Sequence, residues 1–204
     1  ALAGLGLALV FAGCGVIDSF GQVQDAPKVR AALEKLKNGD EAAAVKDLES
    51  LLRRRRASAE AYVLTAAACQ EARRYDLAAT YAERGLRETP GAGAEQHGRL
   101  HSLLGVARQQ LGDYEGAIVS HEAARHLLPD DPGVLNNLAY AYAEAPEKAD
   151  RLLDAVRLVT EAIEMAAAKG HSAEEIAIYR DTLGWAQFKL GLLDQALVNL
   201  TAAA

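Results

Sequence analysis

Residues 98–131 read GRLHSLLGVARQQLGDYEGAIVSHEAARHLLPDD, and three small residues in this stretch set the pattern of the chain. Gly105, Ala117 and Ala124 follow one another at steps of 12 and 7. The same steps recur upstream at Ala32, Ala44 and Leu51 and at Ala66, Ala78 and Gly85. They recur downstream at Gly184, Ala196 and Ala203. A fifth copy, Ala139, Ala155 and Ala162, has its first step stretched to 16. The starting residues lie 34, 39, 34 and 45 apart. A period near 34 with small residues on two helices per unit marks a helical solenoid. Solenoids present extended surfaces to other proteins more often than they enclose a catalytic pocket.

Elementary packing explains why those positions are small. Where two helices of a pair cross closely, a larger side chain would hold the backbones apart. Asn38-Gly39-Asp40 and Leu111-Gly112-Asp113 end one helix and cap the next, glycine taking the left-handed conformation and aspartate bonding free amides. Pro90, Pro129 and Pro132 interrupt helices between units. Val45, Leu48, Leu51 and Leu52 keep helical spacing, and no segment sustains strand alternation. The expected fold is all-α.

These residues resemble the tetratricopeptide repeat. Residues 98–131 carry Leu104-Gly105, Leu111-Gly112-Asp113-Tyr114, Ala117, Ala124 and Pro129 in the family's order. The unit at 59–92 carries Tyr62, Ala66, Tyr75, Ala78, Ala82 and Pro90. Units are also expected at 25–58, which lacks the proline, at 132–170, and at 177–204, which is incomplete. The resemblance implies a right-handed superhelical solenoid of antiparallel helix pairs over 27–204. Longer breaks are expected near 145–150, where Ala145-Pro146-Glu147-Lys148 lengthens the turn, and near 168–174.

The resemblance also implies a concave groove lined by the first helix of each unit. Its positions fall on Glu60, Val63, Ala67 and Gln70, then on Arg99, Ser102, Val106 and Gln109. The fourth unit supplies Asn136, Tyr140 and Ala143, and the fifth Asp181, Trp185 and Phe188. The partner-binding set expected from these is Arg99, Val106, Gln109, Asn136, Tyr140, Asp181, Trp185 and Phe188. The family's carboxylate clamp needs paired Lys, Arg and Asn on three units, a pattern that Arg99 and Asn136 do not complete. Aromatic side chains with Asn on one groove suit an extended or helical peptide. Trp185 and Phe188 have a second reading, as core beneath further helices.

The chain has 204 residues, 22 Lys plus Arg against 28 Asp plus Glu, and a net charge of -6. That balance argues against general nucleic-acid binding. The basic run Arg53–Arg56 falls where a helix should end and matches the helix dipole; the alternative is an anionic partner. A phosphate-binding glycine loop, a His-Glu-x-x-His pair and a Gly-x-Ser-x-Gly elbow are all missing from the sequence. No enzyme activity, cofactor, metal or small-molecule substrate is therefore expected. The rival reading is a metal-dependent enzyme in which His97 and His101, one helical turn apart, converge with His121. Cys69, in an alanine-rich helical stretch, reads as a buried thiol.

Ala1–Ile17 carries no charge. Its Leu9-Val10-Phe11-Ala12-Gly13-Cys14 resembles the end of a bacterial lipoprotein signal, with Phe11 where leucine is usual. The expected organisation is the end of a signal at 1–13, a tether from a lipidated Cys14 at 14–26, and the solenoid at 27–204. Gly15 after the cysteine implies delivery to the outer membrane, facing the periplasm. With Cys14 acylated, no intramolecular disulfide is available to Cys69. An uncleaved membrane anchor is the alternative, though glycines at 4, 6, 13 and 15 weaken a permanent span. The function these readings imply is a lipid-anchored scaffold for a protein or peptide partner, of the kind that serves assembly or export machinery. The alternative is a cytosolic or membrane-anchored adaptor.

Overall fold

The computed structural model describes residues 25–54, 57–145 and 151–203. Among them are ten α-helices and no strand. They are α1 Ala26–Lys37, α2 Glu41–Arg54, α3 Ala59–Glu71, α4 Tyr75–Glu88, α5 Ala94–Gln110, α6 Tyr114–Leu127, α7 Pro132–Glu144, α8 Leu152–Ala168, α9 Ala173–Lys189 and α10 Leu193–Ala203. The chain divides into two units, one ending at Leu127 and the other beginning at Leu128. The first holds α1–α6 and the second α7–α10.

Within each unit the helices pair and the pairs stack. In the first, α1 packs on α2, α3 on α4 and α5 on α6, while α1, α3 and α5 meet one another in succession. In the second, α7 packs on α8 and α9 on α10, and α9 also meets α7 and α8. In four of the five pairs a turn of three residues makes the two helices run antiparallel; seven residues, 145–151, separate α7 from α8. Asn38-Gly39-Asp40 shows how such a turn is made. Gly39 takes φ 82°, the Asp40 amide donates back to the Lys35 carbonyl at 2.9 Å, and Asp40 Oδ1 accepts from the Ala43 amide at 3.3 Å. The turn after α5 repeats this with Gly112 at φ 85° and Asp113 Oδ1 accepting from the Gly116 amide at 2.9 Å. In the turn after α3 the left-handed residue is Arg73, at φ 58°.

The small-residue ladder is the packing seam. Ala32, Ala44, Ala66, Ala78, Ala117, Ala124, Ala139, Ala155 and Ala162 have no solvent exposure. Gly85 shows why nothing larger fits, since a Cβ there would lie 2.7 Å from Tyr62 Cβ. Around the seam of the first unit, Leu36, Leu48, Leu52, Tyr62, Tyr81, Leu100 and Leu104 form a continuous core. Cys69 is free and buried within it, and burial pushes its thiol up to about 12. At that value almost no thiolate forms near neutrality, so this cysteine is chemically quiet.

Ion pairs join successive pairs at the surface. Lys37 meets Glu71 at 2.7 Å, Arg84 meets Glu49 at 2.5 Å, and Arg74 clasps Glu41. Exposed pairs of this kind contribute about 0–1 kcal/mol each. The apolar seam, not the surface charge, therefore holds the stack. On α10 the burial pattern differs: Ala196 is buried, while Leu193, Leu197 and Val198 are more than half exposed.

Among the described residues no helix is long and apolar enough to cross a membrane. Cys14, the apolar 1–17 stretch, Gly15 and the 14–26 tether up to residue 24 lie outside the described residues, as do Arg55 and Arg56 of the basic run. Arg53 is exposed, 3.9 Å from Glu49.

Candidate functional site

The first unit places its groove residues on α3 and α5. Val63, Ala67 and Gln70 on α3 are buried. On α5, Val106 and Gln109 are 6% and 5% exposed, so both are largely enclosed. Arg99 is half-buried and bonds Glu95 at 2.7 Å, its i−4 neighbour on the same helix. Glu60 keeps one carboxylate oxygen buried without a partner. Burial raises its pKa above the usual carboxylate range, opposed by the nearby Arg99 charge.

The histidines do not form a metal centre. The His97 ring nitrogen Nε2 lies 2.8 Å from the Thr89 carbonyl oxygen. His101 is half-buried, and its pKa is lowered, first by burial and then by the neighbouring His97 and Arg108 charges. His121 is fully buried against Gly105, where a Cβ would lie 2.5 Å from His121 Cε1. Among the described residues no three His, Cys, Asp or Glu side chains are grouped to hold a metal ion. His97, His101 and His121, the set the rival reading needs, are not gathered into such a group. His121 is packed into the α5–α6 seam against Gly105.

The second unit gathers the aromatic residues. Tyr140 is half-buried on α7, and Trp185 is half-buried on α9. Trp185 and Phe188, three apart on one helix, stack with ring centroids 5.6 Å apart and planes 20° from parallel. Phe188 remains 46% exposed. The Trp185 indole N–H donates to Glu144 Oε1 at 2.6 Å, which ties α9 to α7. Lys189 Nζ sits 5.4 Å from the Trp185 ring centroid, within reach of a cation–π contact.

Because α7, α8 and α9 reverse direction in turn, α7 and α9 run parallel. One turn back from the Trp185–Glu144 bond, α9 carries Asp181 and α7 carries Tyr140. A further turn back along α7 lies Asn136, which is 2% exposed with its Oδ1 unpaired. Asp181 is half-buried, and burial raises its pKa. The arrangement offers stacked rings, an amide and two carboxylates on adjacent helices. It holds no nucleophile–base pair.

Glu144 and Lys189 were not among the residues expected from sequence. The signal for both was the i+4 spacing, Tyr140 to Glu144 and Trp185 to Lys189, which extends each stripe by one turn.

This succession of helix pairs has counterparts among solved structures. MamA of Desulfovibrio magneticus RS-1, from residue 41 to its end, superposes with a TM-score of 0.62 at 18% identity over 86% of this chain and 90% of that one. A kinesin light chain of Podospora anserina with nearly identical TPR-like repeats gives 0.66 at 17% identity, over 88% and 93%. The Cut9–Hcn1 hetero-tetramer of the APC/C gives 0.67 at 17% identity, over 98% of this chain and 36% of that one. No family model matches the chain, and no curated protein matches it. The fold is that of the tetratricopeptide-like helical solenoids. At these identities the likeness concerns architecture alone.

Proposed function

We propose that the chain is a protein-interaction scaffold that receives a polypeptide on the face carried by α7 and α9. The observation that carries this reading is the Trp185–Phe188 stack, with Phe188 46% exposed and the indole anchored to Glu144. Ordered aromatic side chains lose little entropy on binding and supply much contact area, which is why they dominate interface energetics. Solenoids with comparable helix pairs occur in assemblies such as Cut9–Hcn1. Such analogy supports the general class of function and no particular pathway.

The scaffold is anchored through Cys14 by a lipid, at the periplasmic face of the bacterial outer membrane. The support for this is the sequence context before and after Cys14. The acyl chains would carry the membrane affinity, the repeat region being acidic.

A photocrosslinking amino acid at Tyr140 tests the binding face in cells. Crosslinks to a discrete partner are expected from Tyr140 and not from Glu161, which is exposed on α8. Equal crosslinking at both positions, or none at Tyr140, would overturn the assignment of this face.

A further inference from the structure

The outer side of α10 is apolar where a solenoid surface should be polar. Leu193, Leu197 and Val198 are each more than half exposed, and Leu192 in the preceding turn is exposed as well. The other exposed large apolar side chains among the described residues, Leu111, Val119, Leu153 and Phe188, are spread along the chain. The helix cannot roll to hide its leucines, because its inner side is fixed to α9. Leu200 fills the space over Gly184, Gln187 Nε2 donates to Gln195 Oε1 at 3.2 Å, and Asn199 Nδ2 donates to Gln187 Oε1 at 2.9 Å. The repeat phase adds a second observation. Leu197 follows Ala196 as Val45, Ala79, Ile118 and Val156 follow Ala44, Ala78, Ala117 and Ala155. Those four are half-buried or buried, Ile118 to 2% exposure, whereas Leu197 is 63% exposed. The position is one that this stack ordinarily covers. Together the four side chains expose on the order of 400 Å², a contiguous area of the size that marks an interaction site.

From this we infer that α10 is the contact between two copies of this chain, packed antiparallel about a two-fold axis near Leu197. An apolar patch needs an apolar counterpart, and the described residues of a second copy offer one cluster of that kind, α10 itself. The contact is therefore isologous and closes at two copies; a head-to-tail contact would need a second, different patch. Charge points the same way. The chain carries a net charge of -6 and repels itself at most surfaces, but α10 holds a single charged residue, Asp194. An axis at Leu197 keeps the two Asp194 carboxylates about 9 Å apart along the helices, three residues to either side. Leu197 then packs on its own copy, with Leu193 and Val198 beside it. Thr201 and Ala202, small and exposed, let the backbones approach. Counted over both copies and with its polar rim, the contact reaches about 1,000 Å², the lower bound for a specific interface, so the dimer is weak and reversible. This inference uses no residue of α7 or α9 and stands apart from the binding face proposed above.

Sedimentation equilibrium of the full chain in mild detergent, from micromolar to millimolar concentration, tests the contact. A monomer–dimer equilibrium is expected. Leu197→Glu places two carboxylates at the axis and should weaken association about tenfold or more while circular dichroism stays unchanged. A second measurement decides the matter should that variant fold poorly. In a Cys14→Ser background, Leu197→Cys should form an interchain disulfide under copper–phenanthroline and oxygen, and Glu161→Cys on α8 should not. Cys69 is buried and does not compete. A chain that stays monomeric throughout, a folded Leu197→Glu that dimerises as the wild type does, or a Leu197→Cys chain that forms no more crosslink than Glu161→Cys would each overturn the inference. A monomer whose introduced thiol at position 197 resists maleimide would overturn it too, and would place another segment of the same polypeptide over α10.

Discussion

The imidazole of His121 occupies the space that a side chain on Gly105 would need. A Cβ built on Gly105 would meet His121 Cε1 at 2.5 Å and Nδ1 at 2.6 Å. The α9–α10 pair repeats the relationship, since a Cβ on Gly184 would meet Leu200 Cγ at 2.7 Å. Gly105→Ala should cost about 1–3 kcal/mol by overpacking. His121→Ala in the same chain should recover part of that loss, and a double-mutant cycle by urea unfolding measures the coupling. Independent effects would mean that the contact is not a constraint.

His121 also makes stability depend on pH. Both ring nitrogens are buried without partners, and burial lowers the pKa to about 3 from an ordinary 6.5. The folded protein therefore holds this histidine neutral, while the unfolded chain binds a proton below about 6.5. Stability on this account is full above 6.5, falls as the pH drops below it, and continues to fall until about 3. Urea midpoints at pH 7.5 and 5.0 should differ more for the wild type than for His121→Leu. An equal pH effect in both proteins would assign the titration elsewhere.

Arg73 takes the left-handed turn position that Gly39, Gly112 and Gly191 take after α1, α5 and α9. A side chain in that conformation costs about 1–2 kcal/mol. Glycine removes that strain but loses about 0.5–1 kcal/mol through the freedom of the unfolded chain. Strain is the larger effect, so Arg73→Gly should stabilise by about 0.5–1 kcal/mol. The Arg73 side chain is exposed, which keeps lost contacts small. A lower denaturation midpoint for the variant would contradict the turn argument.

The same positions show how much of the fold was legible from sequence. The alanine ladder could be read because close helix crossings admit few residue types, so the spacing alone reported both helices of a pair. Gly39 and Gly112 could be read because their φ values exclude most side chains. His121 was harder: its place depends on Gly105 sixteen residues earlier, and a histidine four or more residues from others also looks like a metal ligand. Glu144 lay on the Tyr140 stripe by its i+4 spacing, but its bond to an indole 41 residues downstream left no local signal. The enclosure of Val106, Gln109 and Asn136 depends on neighbouring helices that a per-unit pattern does not describe.

Cys14→Ser tests the envelope anchoring. Acyl labelling should disappear, and the protein should leave the membrane fraction. One acyl chain binds membranes only marginally, so stable anchoring depends on the full lipid modification of that one cysteine. A variant that stays in the membrane without label would point to an uncleaved apolar span.

Trp185 should matter for binding in two separable ways. Its ring supplies apolar contact, and an aromatic pair adds about 0.5–1.5 kcal/mol beyond area burial. Its N–H holds the ring against Glu144, and a hydrogen bond to a charged acceptor contributes about 1.5–3 kcal/mol. Trp185→Ala removes both and should weaken partner capture most. Trp185→Phe keeps the stack on Phe188 but frees the ring from α7, so an intermediate loss is expected. Glu144→Gln keeps an acceptor without charge and should weaken capture least. Tyr140→Ala, one turn away on α7, should also reduce capture. Helical content should hold in all four, because neither Trp185 nor Tyr140 belongs to the buried alanine seam. Capture can be compared by quantitative pull-down of the partner crosslinked at Tyr140. Should Trp185→Ala and Tyr140→Ala both bind that partner normally, the α7–α9 face is not the docking surface, and the basic end of α2 at Arg53 becomes the next surface to probe.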